Sequence, residues 1–361
     1  MVKTFSFPSV YESTIREYFT SNDPILGFAK IKVDGTDYLV GLQAFNEGTS
    51  PHKSINASPS DTDFKLISQS ALLLAINVCN NNSKAVKFPK LAITAGFPFA
   101  TFQINRDEAT EYFKSEKIIT FYRATESGHL ETEQRLIPID SVNIIPEVAG
   151  CDVAVRKGEN AIDGNFLIVS LGYGTCEGSV STPSGLLSRS MFSTHGISYA
   201  IEVFSQELLM NSFLRLKTEH QVDQLFSKGY AFIDRKRKDF SEEKKRALKN
   251  YYLNVVSPTI NKFLTEEDFE LISKVVLVGG GAYHQDLVNL FNEEFGETCT
   301  VTVFPSPERC ASVGYAIHSR LMLNGPSQSE KDNLSYNFEN ESTAYVGIDI
   351  GNANTYVSVL E

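Results

Sequence analysis

Apolar and polar positions alternate along this chain in two long runs of the same kind. Val346 to Glu361 reads VGIDIGNANTYVSVLE: an apolar strand ending in Asp349, a tight Gly/Asn turn over Gly351 to Asn354, then a second β-branched strand. Followed by VKTFSFPSVY from the N-terminus, it gives strand, glycine turn, strand, polar turn, and a third strand running into Phe7-Pro8-Ser9. The same order recurs inside the chain. Phe166 to Leu171 is an apolar strand, Gly172-Tyr173-Gly174 a turn, and Thr175 to Ser181 and Leu186 to Phe192 are strands. Helices are predicted over about 197–214, 241–262, 284–295 and 307–323, with strands at Lys274 to Val278 and Val301 to Phe304. Earlier in the chain, Ile31 to Leu42 reads as two strands around the hairpin dipeptide Asp34-Gly35. Asp63 to Cys79 has helical spacing, Leu91 to Ala95 is a short buried strand, and a helix is predicted at 106–115. Ile118 to Arg123 and Thr132 to Ile137 read as a hairpin or a pair of edge strands, and Ser141 to Ile145 is a strand stopped by Pro146. Residues 324–344 are polar and lack periodicity, and read as a flexible surface linker.

A hairpin of this kind offers backbone N–H groups to phosphate oxygens and a carboxylate to the accompanying Mg²⁺. One such turn is a weak signal. Two copies of one α/β plan, each opening with a phosphate-type hairpin, point to two lobes that clamp a single nucleotide.

Composition bounds the function. The length allows two domains with separate cores. The formal charge of −11 argues against direct, salt-driven nucleic-acid binding. Five widely spaced cysteines without a CxxC fit a reducing compartment and speak against a zinc site or a disulfide framework. The six histidines form no cluster. No signal-peptide core is present, and the longest apolar run, Ala71 to Ile76, is too short to cross a bilayer. A cytoplasmic protein without membrane association is expected.

These residues resemble the actin-like ATPase superfamily, in particular the bacterial ParM-like segregation actins and MreB-like shape proteins. GIDIGNANTYVSV is similar to the first phosphate motif of that family and IVSLGYGTCEG to its second. VVLVGGGA (Val275 to Ala282) resembles the adenosine motif, while IIPEVAG (Ile144 to Gly150) and ERCASVGYAI (Glu308 to Ile317) look like the two segments connecting the lobes. The order departs from the family: the first phosphate hairpin closes the chain, as in a circular permutation with new termini between the second and third strands. The resemblance implies a two-lobed α/β fold of duplicated RNase H-like domains. One lobe comprises 1–149 plus 305–361, including the linker, and the other 150–304.

By resemblance, Asp349 holds Mg²⁺ beside the phosphates of ATP (or GTP), with Ser170 as the second metal-site residue. Gly351, Asn352, Ala353, Asn354 and Thr355 wrap the phosphate chain from one lobe, and Gly172, Tyr173, Gly174 and Thr175 from the other. Gly279, Gly280 and Gly281 lie bare against the adenosine, or simply form a strand-to-helix turn with positive φ. Glu147 orients the attacking water, or is an acid suited to the first turn of a helix after Pro146. The second motif normally opens with Asp, where this chain has Ser170, so Mg²⁺ binding is expected to be weaker and ATPase activity slow or absent. Glu177 is available to supply some of that charge. Tyr356 stands where segregation-type actins often place a Lys, a change the MreB-like members share. The basic run Arg235 to Lys249 reads as a solvated face on or beside a helix, with a ribose contact or a lateral filament contact as alternatives.

The expected function is a nucleotide-dependent, head-to-tail filament with a cytoskeletal or plasmid-segregation role, reaching DNA through an adaptor protein. The alternatives are a small-molecule kinase of the same superfamily, or a nucleotide-binding scaffold with little hydrolysis.

Overall fold

The computed structural model describes residues 2–15, 26–54, 58–82, 89–125, 128–212, 219–324 and 343–360. It divides into two compact units, 1–162 with 309–361, and 163–308. Of the expected linker, 325–342 lie outside the described residues, while Asn324 ends a helix and Thr343 begins a strand.

In the first unit, strands Thr343–Ile350 and Asn354–Leu360 form an antiparallel hairpin. Strand Val2–Pro8 pairs antiparallel with the second of them, from Val2 opposite Leu360 to Pro8 opposite Asn354. On the other side, Thr343–Ile350 pairs parallel with Lys90–Phe97, which pairs parallel with Ile139–Pro146. Burial of Val346, Ile348, Val357 and Val359 matches the alternation in the sequence. Helix Thr62–Asn82 supplies the core with Leu66, Ile67, Leu72, Leu73 and Ile76. A second, antiparallel sheet runs in the order His52–Lys53, Val10–Ser13, Thr36–Val40, Lys30–Val33, Lys117–Ala124, Leu130–Ile137. The Asp34-Gly35 turn joins two of these strands, with both residues at positive φ.

The second unit repeats the first sheet's order and strand senses. Phe166–Leu171 and Thr175–Thr182 form the antiparallel hairpin, and Phe192–His195 pairs onto the second strand. Lys274–Val278 and then Thr300–Val303 continue the sheet in parallel. Helices Ile197–Ser212 and Ser241–Tyr251 cover the face that carries Leu167, Val169, Leu171, Val275 and Leu277. Each aliphatic or aromatic side chain so buried contributes about 1.5–3 kcal/mol.

Three elements differ from expectation. Leu186 to Phe192 is not one strand, because the Ser190 hydroxyl accepts from Val180 N–H at 2.9 Å and donates to Leu187 O at 2.8 Å. A side chain thus replaces the ladder, and a 3₁₀ turn, Ser188–Ser190, interrupts it. The helix predicted at 106–115 begins at Phe99: Pro98 does not end the structure but precedes the first turn, its carbonyl accepting from Thr101 and Phe102. The basic run is divided between a small hairpin, Tyr230–Ile233 with Lys236–Asp239, and helix Ser241–Tyr251.

The connecting segments meet within the first unit. Helix Glu147–Lys157 packs against helix Cys310–Asn324 at a glycine crossing: a Cβ on Gly314 would stand 1.8 Å from the Gly150 carbonyl oxygen. Gly96 and Gly150 make room for the ring of Tyr315, and Gly347 for the Ser312 carbonyl. These contacts set the helix close beneath the strand that carries Asp349.

Candidate functional site

The turn over residues 351–354 is anchored from a distant part of the sequence. Ser9 donates its N–H to Ala353 O at 3.1 Å. Its hydroxyl donates to Gly351 O at 2.5 Å and lies 2.8 Å from the Thr355 hydroxyl. Ser9 and Thr355 are fully buried, whereas Gly351, Asn352, Ala353 and Asn354 are only partly so. A Cβ on Gly351 would come within 2.8 Å of the Asn354 carbonyl, which keeps the turn tight. Ser9 is a site residue that local sequence patterns did not single out: Phe7-Pro8-Ser9 marked only a strand end.

Asp349, directly opposite Tyr356 in the hairpin, stands at the mouth of this turn. Glu147 opens its helix straight after Pro146, with no intervening loop between strand and helix. Burial first, and then the nearby Glu147 charge, push the Asp349 carboxyl well above the ordinary carboxylate range. One turn further along the helix, the buried Cys151 thiol is pushed up by its contact with Cys310, by burial, and by the charges of Glu147 and Asp349. Residues 147 and 349, far apart in sequence, therefore converge in one unit. Two crowded carboxyls fit a hard divalent cation that takes its remaining ligands from phosphate and water. Among the described residues no group of three or more His, Cys, Asp or Glu side chains gathers as a metal cage.

The second unit holds its turn by the same device. Gly196, which follows the third strand as Ser9 does, donates its N–H to Gly174 O at 3.0 Å. Ile197 and Ser198 donate to Gly172 O and Tyr173 O at 3.0 and 2.9 Å. The three turn carbonyls thereby bind the start of helix Ile197–Ser212. The Tyr173 hydroxyl donates to Asp223 at 3.0 Å, and its pKa is raised by burial and that carboxylate. Thr175 lies opposite His195. Ser170 is buried and sits directly opposite the fully buried Glu177. Cross-strand partners share a face, so a carboxylate adjoins the position where the hydroxyl replaces an acid.

Gly279, Gly280 and Gly281 follow strand Lys274–Val278. Gly279 has φ +82, and a Cβ there would meet the Leu171 backbone at 2.7 Å. A Cβ on Gly281 would meet Ile197 and Leu171 at 2.8 Å. The protein's own packing thus accounts for two of the three glycines. Gly280 alone opens onto space, with nothing within 4 Å of its Cβ position.

Residues 2–150 match the family model described as the N-terminal domain of actin-like proteins. None of the curated proteins matches the chain in sequence. Among solved structures, the chain is similar to a ParM in a 15-stranded filament from Clostridium botulinum, at 18% identity and TM-score 0.67, covering 87% of this chain and 92% of that one. It is similar to the archaeal actin homologue Ta0583 in complex with ADP, at 17% identity and TM-score 0.63, over the same shares of the two chains. Bacillus thuringiensis ParM with ATP matches at 14% identity and TM-score 0.56, over 88% and 92%. With the sheet order repeated in both units and the actin-like domain matched over residues 2–150, the chain has an actin-like fold.

Proposed function

We propose that the protein binds ATP or GTP and assembles head to tail into a filament with a cytoskeletal or DNA-segregating role. The observation that carries this reading is the duplicated turn: in each unit the residue after the third strand clamps a glycine-containing turn through a backbone N–H. A turn fixed in this way is preorganised to present backbone donors to phosphate oxygens. In this proposal Gly351 to Thr355 and Gly172 to Thr175 each offer backbone donors to nucleotide phosphate, and Gly280 gives the base or ribose its approach. Asp349 and Glu147 would hold Mg²⁺, which when bound neutralises phosphate charge. Glu147 then also serves to orient water for attack on the terminal phosphate. A DNA cargo would be reached through an adaptor, since the chain carries a formal charge of −11. Cytoplasmic residence belongs to the same proposal; among the described residues no helix is long and apolar enough to cross a membrane.

The permuted strand order is part of the reading. It is supported by the pairing of Val2–Pro8 onto Asn354–Leu360, and by the 343–360 hairpin lying outside the matched family domain. Buried Ser170 favours a second version, in which nucleotide is bound but hydrolysed slowly, because a hydroxyl adds no negative charge at that position.

Nucleotide titration tests the site directly. Gly280→Ala is expected to leave the melting temperature unchanged, since its Cβ meets no protein atom, yet to weaken ATP or GTP binding at least tenfold. Unchanged affinity in Gly280→Ala and also in Asp349→Ala would remove the nucleotide reading. Phosphate release by wild type no faster than by Asp349→Ala would favour the slow-hydrolysis version.

A further inference from the structure

The basic stretch that follows helix Glu219–Lys228 is a two-stranded hairpin with two unlike faces. Ala231 and Ile233 on one face pack against the core of the second unit. The other face carries Tyr230, Phe232, Arg237 and Asp239, with Lys236 and Lys238 opposite Ile233 and Ala231. The Arg237 guanidinium lies 4.0 Å from the centre of the Tyr230 ring, and Phe232 meets that ring edge-on at 6.1 Å. Phe232 is 71% exposed. Arg235, Lys236, Arg237 and Lys238 are all exposed as well. At the tip, Asp234 and Arg235 both have positive φ, 49° and 63°. Arg is a poor residue for that conformation, so its presence there puts charge before local comfort.

Lysine and arginine alone would suffice to guard a sheet edge against misplaced pairing. They do not require an exposed Phe and Tyr beside them. Aromatic rings and an arginine held on a rigid two-stranded frame are instead the composition of energetic anchors at protein interfaces. Charge indicates the partner. Residues 234–239 hold four basic and two acidic side chains, net +2, while the whole chain carries −11, which leaves −13 on the remainder.

We propose that this hairpin is an assembly contact that docks onto an acidic surface of a second copy of the chain. The inference rests on the filament reading above and names the surface that drives it. Two hairpin tips, each with a net charge of +2, repel one another, so the contact joins unlike surfaces. A contact between unlike surfaces repeats head to tail and leaves the assembly open-ended.

The test combines sedimentation with photocrosslinking, using the full chain. A Phe232→Ser/Arg237→Glu variant is expected to keep the wild-type melting temperature and nucleotide affinity, because both side chains lie on the exposed face. Its critical concentration for assembly should rise at least tenfold. Raising salt from low to high should weaken wild-type assembly far more than any residual assembly of the variant. A benzophenone amino acid in place of Phe232 should crosslink to an acidic peptide of another copy. Assembly of the variant at the wild-type concentration would overturn the inference and leave the filament reading intact. Crosslinks only to co-purified nucleic acid or to other proteins would overturn it as well. So would a wild-type chain that stays monomeric at low salt and high concentration, with nucleotide affinity then judging the other reading separately.

Discussion

The Ser9 hydroxyl lies between the Gly351 carbonyl and the buried Thr355 hydroxyl, and the backbone N–H of Ser9 closes the same turn. Removing that hydroxyl leaves a buried partner unsatisfied, a loss of about 1–3 kcal/mol. Ser9→Ala is therefore expected to melt several degrees lower and to bind nucleotide more weakly; an unchanged affinity would separate the clamp from the ligand. Asp349 yields a prediction with a defined sign. Its carboxyl titrates higher in the folded chain than in the unfolded one, so the folded state holds the proton more tightly. Stability then falls as pH rises from about 4, the ordinary carboxylate value, through the raised folded value. Asp349→Asn removes that penalty. In chelator the variant should melt above wild type at neutral pH, and the difference should vanish below about pH 4. Parallel melting curves across that range would refute the upward displacement of the Asp349 carboxyl by burial and the Glu147 charge. The place of Asp349 near a strand end was legible in the sequence, because the apolar run gives way to Gly351 two residues later. Ser9 was not: its partners lie at the opposite end of the chain, and no local pattern reports such a contact.

Among elements, those legible in the sequence were the ones whose own residues settle them. Strand Lys274–Val278 is five residues of apolar and β-branched character ended by glycine, and it appears with those bounds. The Asp34-Gly35 hairpin carries its turn in its dipeptide. The hairpin of Tyr230–Ile233 and Lys236–Asp239 escaped notice because Asp234-Arg235 is no hairpin dipeptide; only the fold reveals that Arg235 takes positive φ. Ser188–Ser190 escaped because a serine side chain took over from the backbone. The glycines of the connecting segments were visible as motif letters, but their reason is a helix crossing. Gly314→Ala would drive a methyl into the Gly150 carbonyl, which neither helix backbone can yield without parting. A loss of about 3 kcal/mol is expected, at the upper end of overpacking costs. Chemical denaturation measures it, and a variant as stable as wild type would mean that the helices do not cross this closely.

For the whole molecule, the repeated sheet order was the feature most open to reading, because both copies announce themselves with an apolar strand, a glycine turn and a β-branched strand. Membership of the first unit by residues 309–361 depends on pairing between strands that sequence proximity does not suggest. Strand Val2–Pro8 sits at the edge of its sheet and finds its ladder partner in Asn354–Leu360, nearly the full length of the chain away. This has a bearing on synthesis. A ribosome delivers the first strand long before the segment that receives it, so the sheet of the first unit cannot close until residues 343–360 have left the exit tunnel. The second unit is one uninterrupted stretch, 163–308, and is free to acquire its structure while translation continues. Nascent chains stalled far enough past residue 308 for that stretch to clear the exit tunnel, but before residues 343–360 emerge, should thus carry a protease-resistant second unit and an unfinished first one, whose early strand still waits for its partner.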